Sequence, residues 1–286
     1  MIVKNLVQDA AIKISNTLGI TLPQAISEAR VLMRYLSGWS LEYLIAHQDE
    51  TLDKSSIKQF EDLVSRRSLS EPIAYIIGAK EFYGREFLVD RNTLIPRSDS
   101  ETIIDAVLKA FPKDSKLKIL ELGVGSGCLI ITLLLELKNS TGYGVDISDK
   151  ALKIAEKNAK NLAVEKKCVF IQSDWFNNVE GCYDIIICNP PYILDNEKHL
   201  MSKETIDYEP HAALFGDFSI YKNIINSAKR FLNKDGKIYM EIGCGHEKSI
   251  SDMFLSEGYL DVQEYKDLEE RARVISAIIS PNKSNS

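Results

Sequence analysis

The chain has 286 residues, 45% of them hydrophobic and 27% charged, the balance of a globular protein of about two domains rather than of a disordered chain. Thirty-five basic against 41 acidic side chains give a net charge of −6, which argues against a surface built to grip a nucleic-acid backbone. The longest apolar stretch, Cys128–Leu135, ends at Glu136, far short of the ~20 residues of a membrane span. Five cysteines without a C-x-x-C pair, and four scattered histidines, support neither a disulfide framework nor a metal site. A cytoplasmic protein with reduced thiols is expected, a monomer without membrane association or direct nucleic-acid binding.

Met1–Asp9 reads as an amphipathic helix with an early acid, not as a signal or transit peptide. Thr21-Leu-Pro-Gln24 has the pattern of a capping box, and Ala25, Ala29, Leu32 and Leu36 follow at helical spacing. Gly38 ends that helix and Ser40 caps the next, which carries Leu41, Leu44 and Ile45. A further helix is predicted from about Asp53 to Ser68. Residues 1–80 thus form a helical bundle with no catalytic spacing of their own. Around Phe82–Val89 short alternating runs flank a turn glycine, so residues 81–97 are read as a hairpin linker ending near Pro96. From 98 to 280 strands and helices alternate. Strands are predicted at Leu117–Leu122, Thr141–Asp146, Val169–Gln172, Ile185–Cys188 and Lys237–Ile242, with helices at Cys128–Leu137 and Asp149–Leu162. Such alternation implies an α/β fold with a mainly parallel, doubly wound sheet. Residues 281–286 read as a flexible tail.

Four constellations carry chemistry, each at the end of a predicted strand. Glu121-Leu-Gly123-Val124-Gly125-Ser126-Gly127 lets the backbone approach a ligand closely. Cys128 stands where a dinucleotide fingerprint needs its third glycine, and no Lys-Ser/Thr pair follows, so this is no phosphate loop. The remaining pattern, acid-x-Gly-x-Gly-x-Gly, is the one by which class I methyltransferases hold S-adenosylmethionine; the alternative is a turn that only tightens strand–helix packing. Asp146, about 20 residues on, suits the two hydroxyls of a ribose, though an acid there is also an ordinary helix cap. Ser173-Asp174-Trp175 offers an acceptor for an adenine amino group and a ring beside the base, against the plainer reading of Trp175 as core. Asn189-Pro190-Pro191-Tyr192 is the most telling. An amide or aromatic amine nitrogen is a poor nucleophile because its lone pair is delocalised, so a site that methylates it must hold its N–H groups with acceptors. The Asn189 side-chain oxygen and the Pro190 carbonyl suit that task, the prolines stiffen the turn, and Tyr192 offers a flat face to the planar group.

These residues resemble the HemK/PrmC family, the peptide chain release factor N5-glutamine methyltransferases. The resemblance extends to Glu71–Gly78, Glu81-Phe-Tyr83, Leu94-Ile-Pro-Arg97 with Glu101, and Tyr208–Gly216, and covers about residues 20–275. It implies a Rossmann-like class I methyltransferase sheet with a small N-terminal helical-bundle domain for substrate recognition and a connecting β-hairpin. It also implies S-adenosylmethionine-dependent methylation of the glutamine side-chain amide in the Gly-Gly-Gln motif of class 1 release factors. Gly123, Val124, Gly125, Ser126 and Gly127 would then line the cofactor, Asp146 its ribose, and Asp174 and Trp175 its adenine end, with Asn189 nearby. Asn189 and Pro190 would hold the substrate amide, with Pro191 in the same turn and Tyr192 packed on the amide. No metal is implied.

The chain departs from the family in three places. Pro96-Arg-Ser-Asp-Ser-Glu101 loses a proline from the family's Pro-Arg-Pro-Asp-Thr-Glu, and Glu121-Leu-Gly-Val-Gly125 replaces Asp-Leu-Gly-Thr-Gly. After Gly216, Asp217-Phe-Ser-Ile replaces a glycine-rich run, which puts that loop's geometry in doubt. Two rival readings remain at the level of sequence. One is an adenine-N6 methyltransferase of DNA or RNA, which shares the Asn-Pro-Pro-Tyr chemistry; the other is a catalytically idle relative that only binds release factors.

Overall fold

Side-chain caps and left-handed glycines set most helix ends in the first 79 residues. The computed structural model describes residues 1–279, so the expected tail at 281–286 lies outside the described residues. Helices α1 (Val3–Leu18), α2 (Leu22–Ser37), α3 (Leu41–Ala46), α4 (Lys54–Ser68) and α5 (Ile73–Ile77) follow one another. The Thr21–Gln24 capping box opens α2, and Gly38 at φ +69° closes it. Ser40 accepts from Tyr43 N–H at the start of α3, and Asp53 accepts from Ser55 and Ser56 at the start of α4. Val3, Leu6, Ala10 and Ile14 of α1 pack with Ala25, Ala29 and Leu32 of α2 and Phe60 and Val64 of α4. This helical periodicity was legible because each stripe repeats every three or four residues.

A segment distant in sequence also belongs to this unit. The chain divides into Met1–Ala79 with Ser202–Tyr208, and Lys80–Met201 with the residues from Glu209 onward. Arg67, only 5% exposed, gives the reason. Its guanidinium holds Glu28 through Nε and Nη2 at 2.7 and 2.9 Å and reaches Glu204 through Nη1 at 2.6 Å. Tyr208 adds a hydrogen bond from its hydroxyl to Leu69 O at 2.9 Å.

The second unit begins with a hairpin, β1 (Ala79–Phe82) and β2 (Arg85–Leu88). Its two turn residues, Tyr83 and Gly84, both have positive φ, the backbone that matches the twist of paired strands. Then follow α6 (Glu101–Ala110), β3 (Lys118–Leu122), α7 (Cys128–Glu136), β4 (Thr141–Asp146), α8 (Asp149–Asn161), β5 (Cys168–Gln172) and β6 (Tyr183–Cys188). After α9 (Lys203–Tyr208) come α10 (Phe218–Ala228), β7 (Leu232–Glu241), α11 (Glu247–Ser256), β8 (Tyr259–Lys266) and β9 (Ala272–Ile279). The seven-stranded sheet has the order β5-β4-β3-β6-β7-β9-β8. Strands β5 to β7 are parallel neighbours, and β9 pairs antiparallel with both β7 and β8.

Both faces of this sheet are buried, as an α/β architecture requires. Ile119, Ile185 and Ile187 face a cluster built from α6, α7 and α8. Their neighbours Leu120, Ile186 and Cys188 face another, built from α10 and α11. Asp217, in the run that departs from the family, accepts Ser219 N–H at 2.8 Å and caps α10, so the altered loop becomes an orderly helix start.

The buried guanidinium yields a stability prediction. Arg67→Met leaves Glu28 and Glu204 facing each other without their cation. Both are part-exposed, so the loss is expected at about 2–3 kcal/mol, below that of a fully buried pair. Urea unfolding measures it; an unchanged midpoint would show that the ion pairs do not hold Ser202–Tyr208 in place.

Candidate active site

The site begins where parallel strands end together. Leu122 pairs with Val145 on one side and Cys188 on the other, and Asp146 pairs with Gln172. The loops leaving β3, β4, β5 and β6 therefore converge at the carboxyl edge of the sheet, and the strand order reverses between β3 and β6. Ligands of open α/β sheets bind at such a reversal. A cavity of about 490 Å³ lies there, lined by Gly123, Val124, Gly125, Ser126, Asp146, Asp174, Trp175, Asn189 and Pro191, among others.

The glycine loop is shaped by backbone rather than side chains. Gly123 and Gly125 have φ of +71° and +52°, where a Cβ is strained. Asp146 fastens this loop: Oδ2 accepts Gly125 N–H and Oδ1 accepts Ser148 N–H, each at 2.9 Å. One lone pair on each oxygen is left for a ligand. Asn158, buried in α8, donates to Ser126 O at 2.8 Å and bonds both backbone groups of Leu88, tying loop, helix and hairpin together. Trp175 has φ +47°, an unusual backbone for a bulky residue, and Cζ3 of its ring comes within 4.0 Å of where a Gly123 Cβ would stand. Ser173 clasps its loop by donating to Trp175 O at 2.8 Å and accepting Asn178 N–H at 2.9 Å.

Three expected site residues are not among those lining the cavity. Gly127 caps α7 at φ +80°, and a Cβ there would meet Ile131 Cδ1 at 2.8 Å and Ala155 Cβ at 3.2 Å, so close helix packing requires this glycine. Pro190 is buried off the wall. Tyr192 is half-buried, and its hydroxyl donates to Glu241 Oε1 at 3.2 Å. Asn189 does line the cavity. Its Nδ2 donates to Ser100 Oγ at 3.1 Å, which leaves Oδ1 as the acceptor available to a ligand.

Several wall residues had carried only resemblance, without a role. Leu94, Pro96, Arg97 and Ser100 come from the segment after the hairpin, and Pro210, Ala212, Ala213 and Phe215 from the segment before α10. Glu209 joins the two segments: its buried carboxylate accepts Ile95 N–H at 3.1 Å and pairs with Arg97. Close packing fixes the second segment too, since a Cβ on Gly216 would stand 2.2 Å from Pro191 O. Among the described residues no group of His, Cys, Asp and Glu could hold a metal ion, and no helix is long and apolar enough to cross a membrane.

Residues 12–78 match the PrmC N-terminal domain and residues 100–254 the methyltransferase small domain. A release factor glutamine methyltransferase of Francisella tularensis is 38% identical over 82% of this chain and 84% of its own. The chain belongs to the release factor glutamine methyltransferase family. A bifunctional methyltransferase of Rickettsia conorii is 40% identical over 96% of this chain, which spans only 57% of that longer protein. Among solved structures, a methyltransferase from Pyrococcus furiosus superposes with a TM-score of 0.52 at 16% identity, covering 77% of this chain and all of its own, a likeness of fold.

In this family member the acidic residue that opens the glycine motif is Glu121, and it is buried at 2% exposure. Its Oε2 accepts Ile130 N–H at 3.0 Å in the first turn of α7. Burial pushes its carboxyl well above the ordinary 4.5; the Ile130 N–H opposes the shift and the Asp146 charge adds to it. The unfolded chain therefore releases this proton first, and stability falls as the pH rises above 4.5. Glu121→Gln keeps an acceptor for Ile130 and removes the ionisation. Its melting temperature is expected to exceed the wild type's more at about pH 8 than at about pH 5, on a scale of about 2–4 °C per kcal/mol. The same difference at both pH values would contradict the burial of a proton at Glu121.

Proposed function

We propose that the chain transfers a methyl group from S-adenosylmethionine to the side-chain nitrogen of the glutamine in the Gly-Gly-Gln motif of class 1 release factors. The observation that carries this reading is Asn189 on the wall of one cavity with the glycine loop, in a chain whose residues 12–78 match the PrmC N-terminal domain.

The residues present fit the cofactor. The left-handed Gly123 and Gly125 let backbone, not side chain, form the floor of the site. Asp146 keeps an acceptor site on each oxygen for a ribose diol. Asp174 and Trp175 supply a polar group and an aromatic surface for the base. When bound, S-adenosylmethionine supplies a methyl carbon already activated by its sulfonium charge.

The protein's share is then alignment. An amide N–H is too weakly acidic for any side chain to deprotonate at neutral pH. Asn189 Oδ1 would accept one N–H of the substrate amide, fix its plane, and stabilise the positive charge that grows on nitrogen as the N–C bond forms and the methyl–sulfur bond breaks, its electron pair staying on a neutral thioether. One proton then leaves the nitrogen for water. Pro191, on the wall beside Asn189, stiffens the turn that carries it. The Pro190 carbonyl, a backbone oxygen of the same turn, is the second acceptor in this reading.

A protein substrate needs more surface than one side chain, since specific interfaces bury about 1,200–2,000 Å². The helical unit supplies it in this reading. A translation factor as substrate also implies a cytoplasmic site of action, with the protein working as a monomer.

The direct test is incubation with methyl-labelled S-adenosylmethionine and release factor, or DNA or ribosomal RNA, with the label mapped by mass spectrometry. The label is expected on the Gly-Gly-Gln glutamine; label on adenine would overturn the proposal. Asn189→Ala is expected to slow single-turnover methyl transfer by at least about 10²-fold, about 2.7 kcal/mol, with a much smaller change in cofactor affinity. Asp146→Ala is expected to do the reverse, weakening cofactor binding by about 1.5–3 kcal/mol for each charged hydrogen bond lost. Calorimetry on the folded variants separates the two; a wild-type rate in Asn189→Ala would remove this loop from the chemistry.

A further inference from the structure

Glu241 ends β7 with no exposure at all, and it is not among the residues lining the cavity. Its Oε1 accepts the Tyr192 hydroxyl, and its Oε2 is buried with no hydrogen-bond partner among the described residues. A buried carboxyl is costly unless it is paired and fully hydrogen-bonded, and this one has an oxygen without a partner. Ser100, itself 3% exposed, lies between it and the site: its Oγ accepts a hydrogen bond from Asn189 Nδ2 at 3.1 Å, and its hydroxyl is near enough to favour the charge on Glu241.

These bonds have a direction. Asn189 Nδ2–H donates to Ser100. A hydroxyl that accepts a hydrogen bond from Asn189 has its own O–H to give, and Glu241 Oε2, buried without a partner, is the acceptor left to take it. Tyr192 O–H donates to the same carboxylate from the other side. An ionised carboxylate only accepts, so every donor in the chain runs toward Glu241. We propose that Glu241 is the positioning residue of the site: through Ser100 it turns the Asn189 amide so that Oδ1 is offered to the substrate, and through the Tyr192 hydroxyl it holds the Asn-Pro-Pro-Tyr turn. This rests on the methyl-transfer reading above and deepens it.

Reversing the chain shows what Glu241 controls. A protonated Glu241 must donate, and Ser100 would then accept from it and turn its own hydroxyl toward Asn189. The Asn189 amide would have to flip to accept, presenting Nδ2 where the substrate N–H needs an oxygen. Burial pushes Glu241 up to about 7, against Ser100, Tyr192 and the Arg273 guanidinium, with the Asp99 charge adding to the rise. Arg273 itself is held by Asp99 and Asp267 at 2.9 Å. The other titratable neighbours are the Cys128 and Cys188 thiols and Tyr221, whose hydroxyl donates to Glu241 O at 3.3 Å; burial raises all three above their ordinary range. A carboxyl raised in this way ionises across neutral pH, so the orienting chain is complete only on the alkaline side.

Glu241→Gln imitates the protonated state, because its amide can accept from Tyr192 but must donate toward Ser100. Single-turnover methyl transfer to release factor at saturating cofactor, from about pH 6 to about pH 9, tests the proposal. The wild-type rate is expected to rise through neutral pH. E241Q is expected to run about ten- to a hundredfold slower at the alkaline end, a smaller loss than deleting the acceptor itself, with the neutral-pH rise absent. Its cofactor affinity by calorimetry should stay at the wild-type value. A merely structural Glu241 would lower the folded fraction without altering the shape of the pH profile. E241Q with the wild-type rate, or with the same rise, overturns the proposal. Should E241Q fail to fold, Ser100→Ala carries the test: a comparable loss with the rise gone supports the relay, and wild-type behaviour overturns it. A wild-type enzyme that labels no release factor instead overturns the functional reading, so the two failures are distinct.

Discussion

The alignment of strand ends is the constraint on which everything else depends. Because Leu122 pairs with Val145 and Cys188, and Asp146 with Gln172, the loops that follow β3, β4, β5 and β6 all begin at the same edge of the sheet. The glycine loop, Asp146, Trp175 and Asn189 lie far apart in sequence, yet they meet because parallel strands leave in one direction. A one-residue slip in any of these pairings would turn each following side chain to the opposite face. The two apolar clusters guard against such a slip, since Ile119 and Ile187 belong to one and Leu120 and Cys188 to the other.

Around this edge the protein accepts local cost. Glu121, Glu209 and Glu241 are all buried within the second unit, where an isolated charge is expensive. Each has a different solution. Glu209 is neutralised by Arg97 and serves as the tie between two wall segments. Glu121 takes an N–H from the start of α7. Glu241 retains an unpartnered oxygen, the sign of a carboxyl held for the geometry it imposes rather than for stability. The positive φ of Trp175 belongs to the same pattern, because backbone strain persists where surrounding bonds, here those of Ser173, fix it.

The sequence made the frame legible because periodicity and turn chemistry are local. The capping box at Thr21, the hairpin glycine, and the strand-end positions of Glu121, Asp146 and Asn189 could all be read directly. Other features depend on partners distant in sequence. Nothing in the spacing of Ser202–Tyr208 marks it as part of the helical unit; the ion pair of Glu204 with Arg67 does so. Strand β8 is exposed at most positions and lacks the apolar alternation that reveals a strand, and β9 finds its place by pairing antiparallel with both β7 and β8. The third glycine of the motif, Gly127, has a packing role against Ile131 and Ala155 that the motif's spacing does not reveal. Ser100 and Glu241 carried no signal alone, for their importance lies in a hydrogen-bond direction that spacing cannot express.

A crystal structure of the protein with S-adenosylhomocysteine and a glutamine-bearing fragment of a release factor would show whether Asn189 presents its oxygen to the substrate amide. The thioether sulfur is expected over the Gly123–Gly125 loop, the ribose on Asp146, and the glutamine nitrogen facing the sulfur with one N–H on Asn189 Oδ1. A glutamine amide that binds away from Asn189, or one that meets Asn189 through Nδ2, would contradict this role of Asn189.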